Sequence, residues 1–149
     1  LGTPTTSTMS EETSGIWFGD NNGGSPIASL NLPDLSEGWV YQGWIDFGQG
    51  MMLRTGKFTD PTMADLASPY SGPLSGYDFP GEDFNQNLPM MGTPPNLVGK
   101  EVLVTVQPDT LTDTYFPMEI FQNTIAGPSA TNDVLTNVHD AIGGSATRK

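Results

Sequence analysis

Trp39-Val40-Tyr41-Gln42-Gly43-Trp44-Ile45-Asp46-Phe47, followed by Gly48-Gln49-Gly50 and then Met51 to Phe58, is the stretch that decides the fold. Its first arm alternates with period two. Trp39, Tyr41, Ile45 and Phe47 share one face, and Val40 and Trp44 stand on the other among polar residues. Period-two alternation argues strand over helix, and aromatic and β-branched side chains suit a pleated, packed surface. Gly-Gln-Gly supplies a turn, so the stretch predicts a β-hairpin. Both faces carry a large aromatic, which places the first arm inside a sheet covered on both sides, with Trp39, Tyr41, Trp44 and Phe58 in the core. The stretch points to a fold and not to a reaction.

Working outward, Ile16-Trp17-Phe18 reads as a first strand and Asp20 to Pro26 as a turn cluster. Ile27 to Leu32 alternates, with Ala28, Leu30 and Leu32 on one side, and closes a second hairpin. Beyond Phe58, Thr59 to Gly99 reads as one long irregular segment holding seven of the 13 prolines. Proline has no N–H to give a central ladder, and a loop of this length is usually functional or disordered. Its aromatics Tyr70, Tyr77, Phe79 and Phe84 predict that it packs onto the sheet, and Met63 to Ala67 has room for one helical turn. Lys100 to Gln107 is a clean strand, with Val102, Val104 and Val106 facing one way and Glu101, Leu103, Thr105 and Gln107 the other. Met118 to Ile125 alternates again. Asn132 to Ile142 places Val134, Leu135, Val138 and Ile142 at helical spacing, which suits a short helix or a docking tail. The expected architecture is all-β: an antiparallel β-sandwich, Ig-like, over residues 15–127, with a long Pro/Gly-rich loop. An extended N-terminal arm, 1–14, and a C-terminal tail, 128–149, flank it.

A chain of 149 residues is the size of one ordinary domain and can bury a core without metals or disulfides. It has no cysteine, which excludes disulfides, zinc–thiolate sites and thiol chemistry. Seventeen acidic residues stand against five basic ones, for a net charge of −12. Such a surface repels phosphate backbones and anionic lipid, and favours basic proteins or divalent cations as partners. No apolar run approaches the ~20 residues needed to span a bilayer, so no transmembrane segment is expected. Abundant Thr, Ser, Asn and Gly with few lysines suits a periplasmic or extracellular protein.

Catalytic chemistry finds little purchase. His139 is the lone histidine and sits beside Asp140 in the tail, and no G-x-S-x-G elbow accompanies it. Glu82 and Asp83, with Asp78 nearby, are paired carboxylates in a Pro/Gly loop. Their spacing shows no cleft of the kind a glycosidase needs, and solvated loop carboxylates or turn caps are the simpler reading. Ca²⁺ is the one cofactor the composition suggests. Asp20-Asn21-Asn22-Gly23 and Asp78 to Asp83 offer hard oxygen ligands, although neither matches the spaced EF-hand loop. Of the seven methionines, Met51-Met52 and Met90-Met91 are paired, and Met suits adaptable contact surfaces.

Gly15-Ile16-Trp17-Phe18, Leu30-Asn31-Leu32-Pro33-Asp34-Leu35-Ser36-Glu37-Gly38 leading into Trp39 to Trp44, Thr55 to Asp60, and Phe79 to Phe84 together resemble exported bacterial proteins labelled anti-sigma-factor (anti-sigma-K-factor-like) domains. The shared pattern is a Leu-Pro-x-Leu-x-x-Gly turn, a Tyr-x-x-Trp strand and a partner strand ending Thr-Gly-x-Phe. It covers most of residues 15–125. The resemblance implies an extracytoplasmic β-sandwich and carries over no catalytic or ligand residues. In true anti-sigma factors the sigma-binding part is a cytoplasmic helical region before a membrane span, and neither reads from this sequence. The expected function is therefore non-enzymatic: an extracytoplasmic protein-interaction module. It would serve as an accessory or structural subunit on the outer or periplasmic face of a membrane complex, respiratory or photosynthetic, or of a surface assembly. Met90, Met91, Tyr70, Tyr77, Val134, Leu135 and Val138 are the expected partner contacts. The alternative is a carbohydrate- or Ca-dependent ligand-binding module that uses Tyr70, Tyr77 and Trp17.

Overall fold

The computed structural model describes residues 15–20, 26–67, 69–70, 77–84, 86–89, 95–111, 114–125 and 136–137. Among them there is no helix, and every ladder is antiparallel. The strands are β1 (Gly15–Trp17), β2 (Gly19–Asp20), β3 (Ile27–Ala28), β4 (Trp39–Asp46), β5 (Met52–Phe58), β6 (Gly81–Asp83), β7 (Glu101–Pro108), β8 (Glu119–Thr124) and β9 (Thr136–Asn137). A five-stranded sheet runs β5-β4-β7-β8-β9, and β1-β6 and β2-β3 form two-stranded ladders. The fold is all-β and antiparallel, as the Trp39–Phe58 stretch predicts.

That stretch forms the expected hairpin. Met51 N–H donates to the Gly48 carbonyl and Phe47 N–H to the Met51 carbonyl, while the Asp46 carboxylate accepts from Gly48 N–H at 2.6 Å. β4 lies between β5 and β7, paired along its whole length with β7 from Trp39↔Pro108 to Asp46↔Glu101. Both of its faces are buried, again as expected. On one face Tyr41 and Ile45 join Leu53, Phe58, Val102, Val104 and Ile125 in the main hydrophobic cluster. Tyr41 and Phe58 sit opposite each other, rings stacked at 5.5 Å. Each such side chain contributes about 1.5–3 kcal/mol by leaving water.

The second layer covers this face. Ile16, Phe18 and Phe84 belong to the same cluster, so the β1-β6 ladder is laid over the sheet. The two ladders meet at Phe18, whose N–H donates to the Pro80 carbonyl and whose carbonyl accepts from Ser29 N–H. Phe18 seats directly on β4 because Gly43 has no side chain. A Cβ there would collide with Thr55 Oγ1 and come within 2.9 Å of the Phe18 ring. Thr55 is itself the extra residue of a bulge: Gly43 pairs with Gly56, but the next residue, Trp44, pairs with Arg54.

The opposite face of β4 is buried and largely polar. Gln42, Thr105 and Gln107 are fully buried beside Val40, Trp44 and Leu103. They share a face because Gln42↔Thr105, Val40↔Gln107 and Trp44↔Leu103 are register partners. The segment after β7 folds over them. The Tyr115 ring meets Trp44 edge-on at 5.6 Å, and the Leu111 carbonyl accepts from Gln107 Nε2 at 3.0 Å.

Several sequence expectations are corrected. Trp39 is 37% exposed at the free end of β4 rather than core. Of Ile27 to Leu32 only Ile27–Ala28 forms a strand, and Leu30 and Leu32 pack against the core from an irregular segment. Met63 to Ala67 makes no helical turn; the only turn there is at Pro61–Thr62, and Leu66 N–H donates to the Lys57 carbonyl on the edge of β5. The long 59–99 segment contains a strand, β6, because Gly81 to Asp83 answers Trp17 to Gly15 in register. Within 132–142, Thr136–Asn137 is not helical but extends the sheet beside Gln122 and Phe121.

Candidate functional site

Three places on the described residues concentrate side chains of functional type. The first is the outer surface of the β1-β6 ladder. Alternation along a strand sends neighbouring side chains to opposite faces. Ile16, Phe18 and Phe84 point into the core, so Trp17 and Asp83 stand on the outer side. There Tyr77 and Phe79 stack at 5.0 Å with planes 6° apart, and Trp17 meets Tyr77 edge-on at 5.4 Å. Trp17 Nε1 donates to Asp83 Oδ1 at 3.2 Å. Glu82 lies on the inner side, where its Oε2 accepts from Tyr70 N–H at 3.2 Å.

This geometry overturns one expectation. Glu82 and Asp83 are not solvated loop carboxylates: both are fully buried, on opposite faces of one strand. The Asp83 carboxylate ties β6 to Trp17 of β1, and the Glu82 carboxylate ties β6 to the Tyr70 main chain. Carboxylates aimed apart cannot flank one bond, which removes the acid–base geometry a glycosidase needs. Asp78 is exposed and stands away from the pair's hydrogen bonds. Among the described residues no three Asp, Glu or His side chains converge on a common point. Tyr70, an expected contact residue, is half-buried and stacks on Phe84 at 5.5 Å. Tyr77, the other, gives one ring face to Phe79. Met90, Met91, Val134, Leu135, Val138 and His139 lie outside the described residues.

The second place is the polar row across the sheet: Lys57, Gln42, Thr105 and Glu119 are successive register partners on β5, β4, β7 and β8. Gln42 Nε2 donates to the carbonyls of Gly43 at 2.9 Å and Gly56 at 2.8 Å, the two residues that flank the bulge. Thr105 Oγ1 accepts from Trp44 Nε1 at 3.0 Å. Tyr115 O–H donates to Glu119 Oε1, and Lys57 Nζ reaches the Asp109 carboxylate at 3.0 Å. The inner members Gln42 and Thr105 are buried and tie neighbouring strands together, although Gln42 Oε1 has no hydrogen-bond partner among the described residues.

The third place is the end of the sheet where β4 begins and β7 finishes. Trp39 is 37% and Met118 44% exposed. Both are on the core-side face: Tyr41 pairs with Val106, and Val106 N–H donates to the Met118 carbonyl. Asp34 and Glu37 lie in the segment leading into Trp39 and Asp109 follows β7; all three are exposed. The turn is pinned there by Trp39 N–H on the Ser36 carbonyl and Asp109 N–H on the Gly38 carbonyl. Tyr41 O–H donates to the Pro33 carbonyl at 2.5 Å. Its pKa is held above the ordinary tyrosine value, first by burial and then by the negative field of Asp34.

Sequence reasoning missed this end because Trp39 continues the apolar alternation of β4. The available signal was its place directly after Glu37-Gly38, at the first residue of the strand. Exposed large apolar side chains also occur at Ile27 (64%), Met63 (62%) and Leu66 (65%). Among the described residues there is no helix long and apolar enough to cross a membrane. Comparison with family models, with curated proteins and with solved structures returns no match to this chain.

Proposed function

We propose that this chain is a non-enzymatic protein-interaction module, working outside the cytoplasm as an accessory or structural subunit of a larger assembly. The outer face of a membrane complex or a cell-surface structure is the setting that suits its composition. The observation that carries the reading is how the surface divides its chemistry. Ile27, Met63 and Leu66 are each more than three-fifths exposed, on a chain with a net charge of −12. Of its cations, Lys57 is taken up by Asp109 and Lys100 lies 5.8 Å over the Phe47 ring. Large apolar side chains held in water on so acidic a chain are what a partner surface supplies with cover. Gentle purification from the native source, with mass spectrometry of what accompanies the chain, tests this. A stoichiometric partner is expected. A free monomer with no partner after in situ cross-linking contradicts it.

Ligand binding is the second reading, favoured by the half-buried Trp17 and Tyr77 rings on the outer side of β1-β6. Calorimetry with soluble glycans, with and without Ca²⁺, decides it: heat that disappears on Trp17→Ala supports the reading, and silence removes it.

A further inference from the structure

We infer that the sheet end around Trp39 docks an arginine- or lysine-rich segment of a partner protein, with the cation seated on the Trp39 indole between the Asp34 and Glu37 carboxylates. The inference rests on the interaction reading above and gives it a place and a partner chemistry. Trp39 is the one tryptophan of three whose ring faces solvent to this degree: Trp44 is 2% exposed against 37% for Trp39, and Trp17 is half-buried. A tryptophan face is the best aromatic seat for a cation, and one that is partly desolvated gains more from it. Met118, exposed on the same face with β7 between it and β4, offers a second, adaptable apolar contact further along the same segment. Charge complementarity decides the partner. Asp34 and Glu37 are exposed and bond no cation among the described residues, whereas the third carboxylate of this end, Asp109, is occupied by Lys57. Asp34 lies close enough to the Tyr41 hydroxyl to add, after burial, to its raised pKa. The turn is held by main-chain hydrogen bonds at both Trp39 and Asp109, and a preformed seat loses little order on binding.

The test uses a flexible (Arg-Gly)5 peptide as the probe and the Trp39 indole N–H resonance as the readout. Saturable movement of the Trp39 resonance is expected, with Trp44 unmoved. Trp39→Ala should weaken binding by about tenfold, in the range of a cation–aromatic contact. Asp34→Asn with Glu37→Gln should weaken it several-fold more than Asp60→Asn with Asp78→Asn, which removes the same charge elsewhere on the surface. Equal weakening by the two double variants, or full affinity in Trp39→Ala, overturns the inference by reducing the binding to bulk charge. A Trp39 resonance that moves on deletion of Arg148 and Lys149 without peptide overturns it too, since the chain's own end then fills the seat. The titration needs no native partner, so its failure leaves the interaction reading standing, and an empty native purification leaves this result untouched.

Discussion

Gln42→Ala is the sharpest perturbation of the scaffold. The Gln42 side chain is fully buried, and its amide nitrogen serves the Gly43 and Gly56 carbonyls at 2.9 and 2.8 Å. Those carbonyls flank the bulge at Thr55, where the ladder changes register. Each hydrogen bond contributes roughly 1 kcal/mol net, and stranding a buried carbonyl costs about 1–3 kcal/mol. The lost packing of the side-chain stem adds about 1 kcal/mol. Water entering the vacated space recovers part of this, so the expected loss is about 2–4 kcal/mol. Urea unfolding followed by tryptophan fluorescence measures it, with Trp44 two residues away as the reporter. At a slope of roughly 1–3 kcal/mol per molar, the midpoint should fall by about 1–2 M. Gln42→Glu provides a second reading of the same contact. Its carboxylate faces two carbonyl oxygens, so burial and the missing donor raise its folded pKa. A raised pKa gives stability that is present below the unfolded value, ~4.3, and is lost as pH rises through the folded one. The variant should therefore be weakest at neutral pH and approach the parent in acid. A Gln42→Ala loss under about 0.5 kcal/mol, or a Gln42→Glu variant indifferent to pH, refutes the claim that this amide closes the bulge.

Three further outcomes follow from the same scaffold. Gly56→Ala should cost about 2 kcal/mol or more, because Gly56 has φ +135° and a Cβ would run into the Asp65 carboxylate; calorimetry checks it. Tyr41→Phe should abolish a loss of stability that the parent shows as pH rises from 10.0 through the raised folded value, since the fold favours the neutral phenol; pH-dependent urea titrations follow it. Lys57→Met should cost at most about 1 kcal/mol, because its partner Asp109 is 57% exposed, and the remaining loss should vanish in high salt.

The parts of this fold that were legible are those where apolar residues alternate. β4, β5 and β7 read directly from Trp39 to Phe58 and from Val102 to Val106, because two-sided burial leaves a mark on both residue sets. The polar row was not legible. Gln42, Thr105 and Gln107 look like solvent-facing positions in sequence, and their bonds to Gly56, Trp44 and Leu111, with Tyr115 packed on Trp44, make them interior residues. β6 escaped for a different reason. Glu82 and Asp83 sit among prolines and glycines, and their burial depends on the Trp17 indole and the Tyr70 amide, which no local spacing announces. Trp39 erred the other way: its alternation is that of a core residue, but it is the first residue of the strand and is 37% exposed. Tyr70 and Tyr77 read in sequence as free aromatics of a loop, but Phe84 and Phe79 of the same segment stack on them.

The most direct measurement places a photo-reactive side chain at position 39 in one variant and at position 49, on the opposite hairpin end of β4, in another, followed by cross-linking in the native source. A covalent product from position 39 to a basic segment of one partner protein is expected, and none from position 49. Products of equal yield from both positions, or none from position 39 while the chain remains in its assembly, would contradict it.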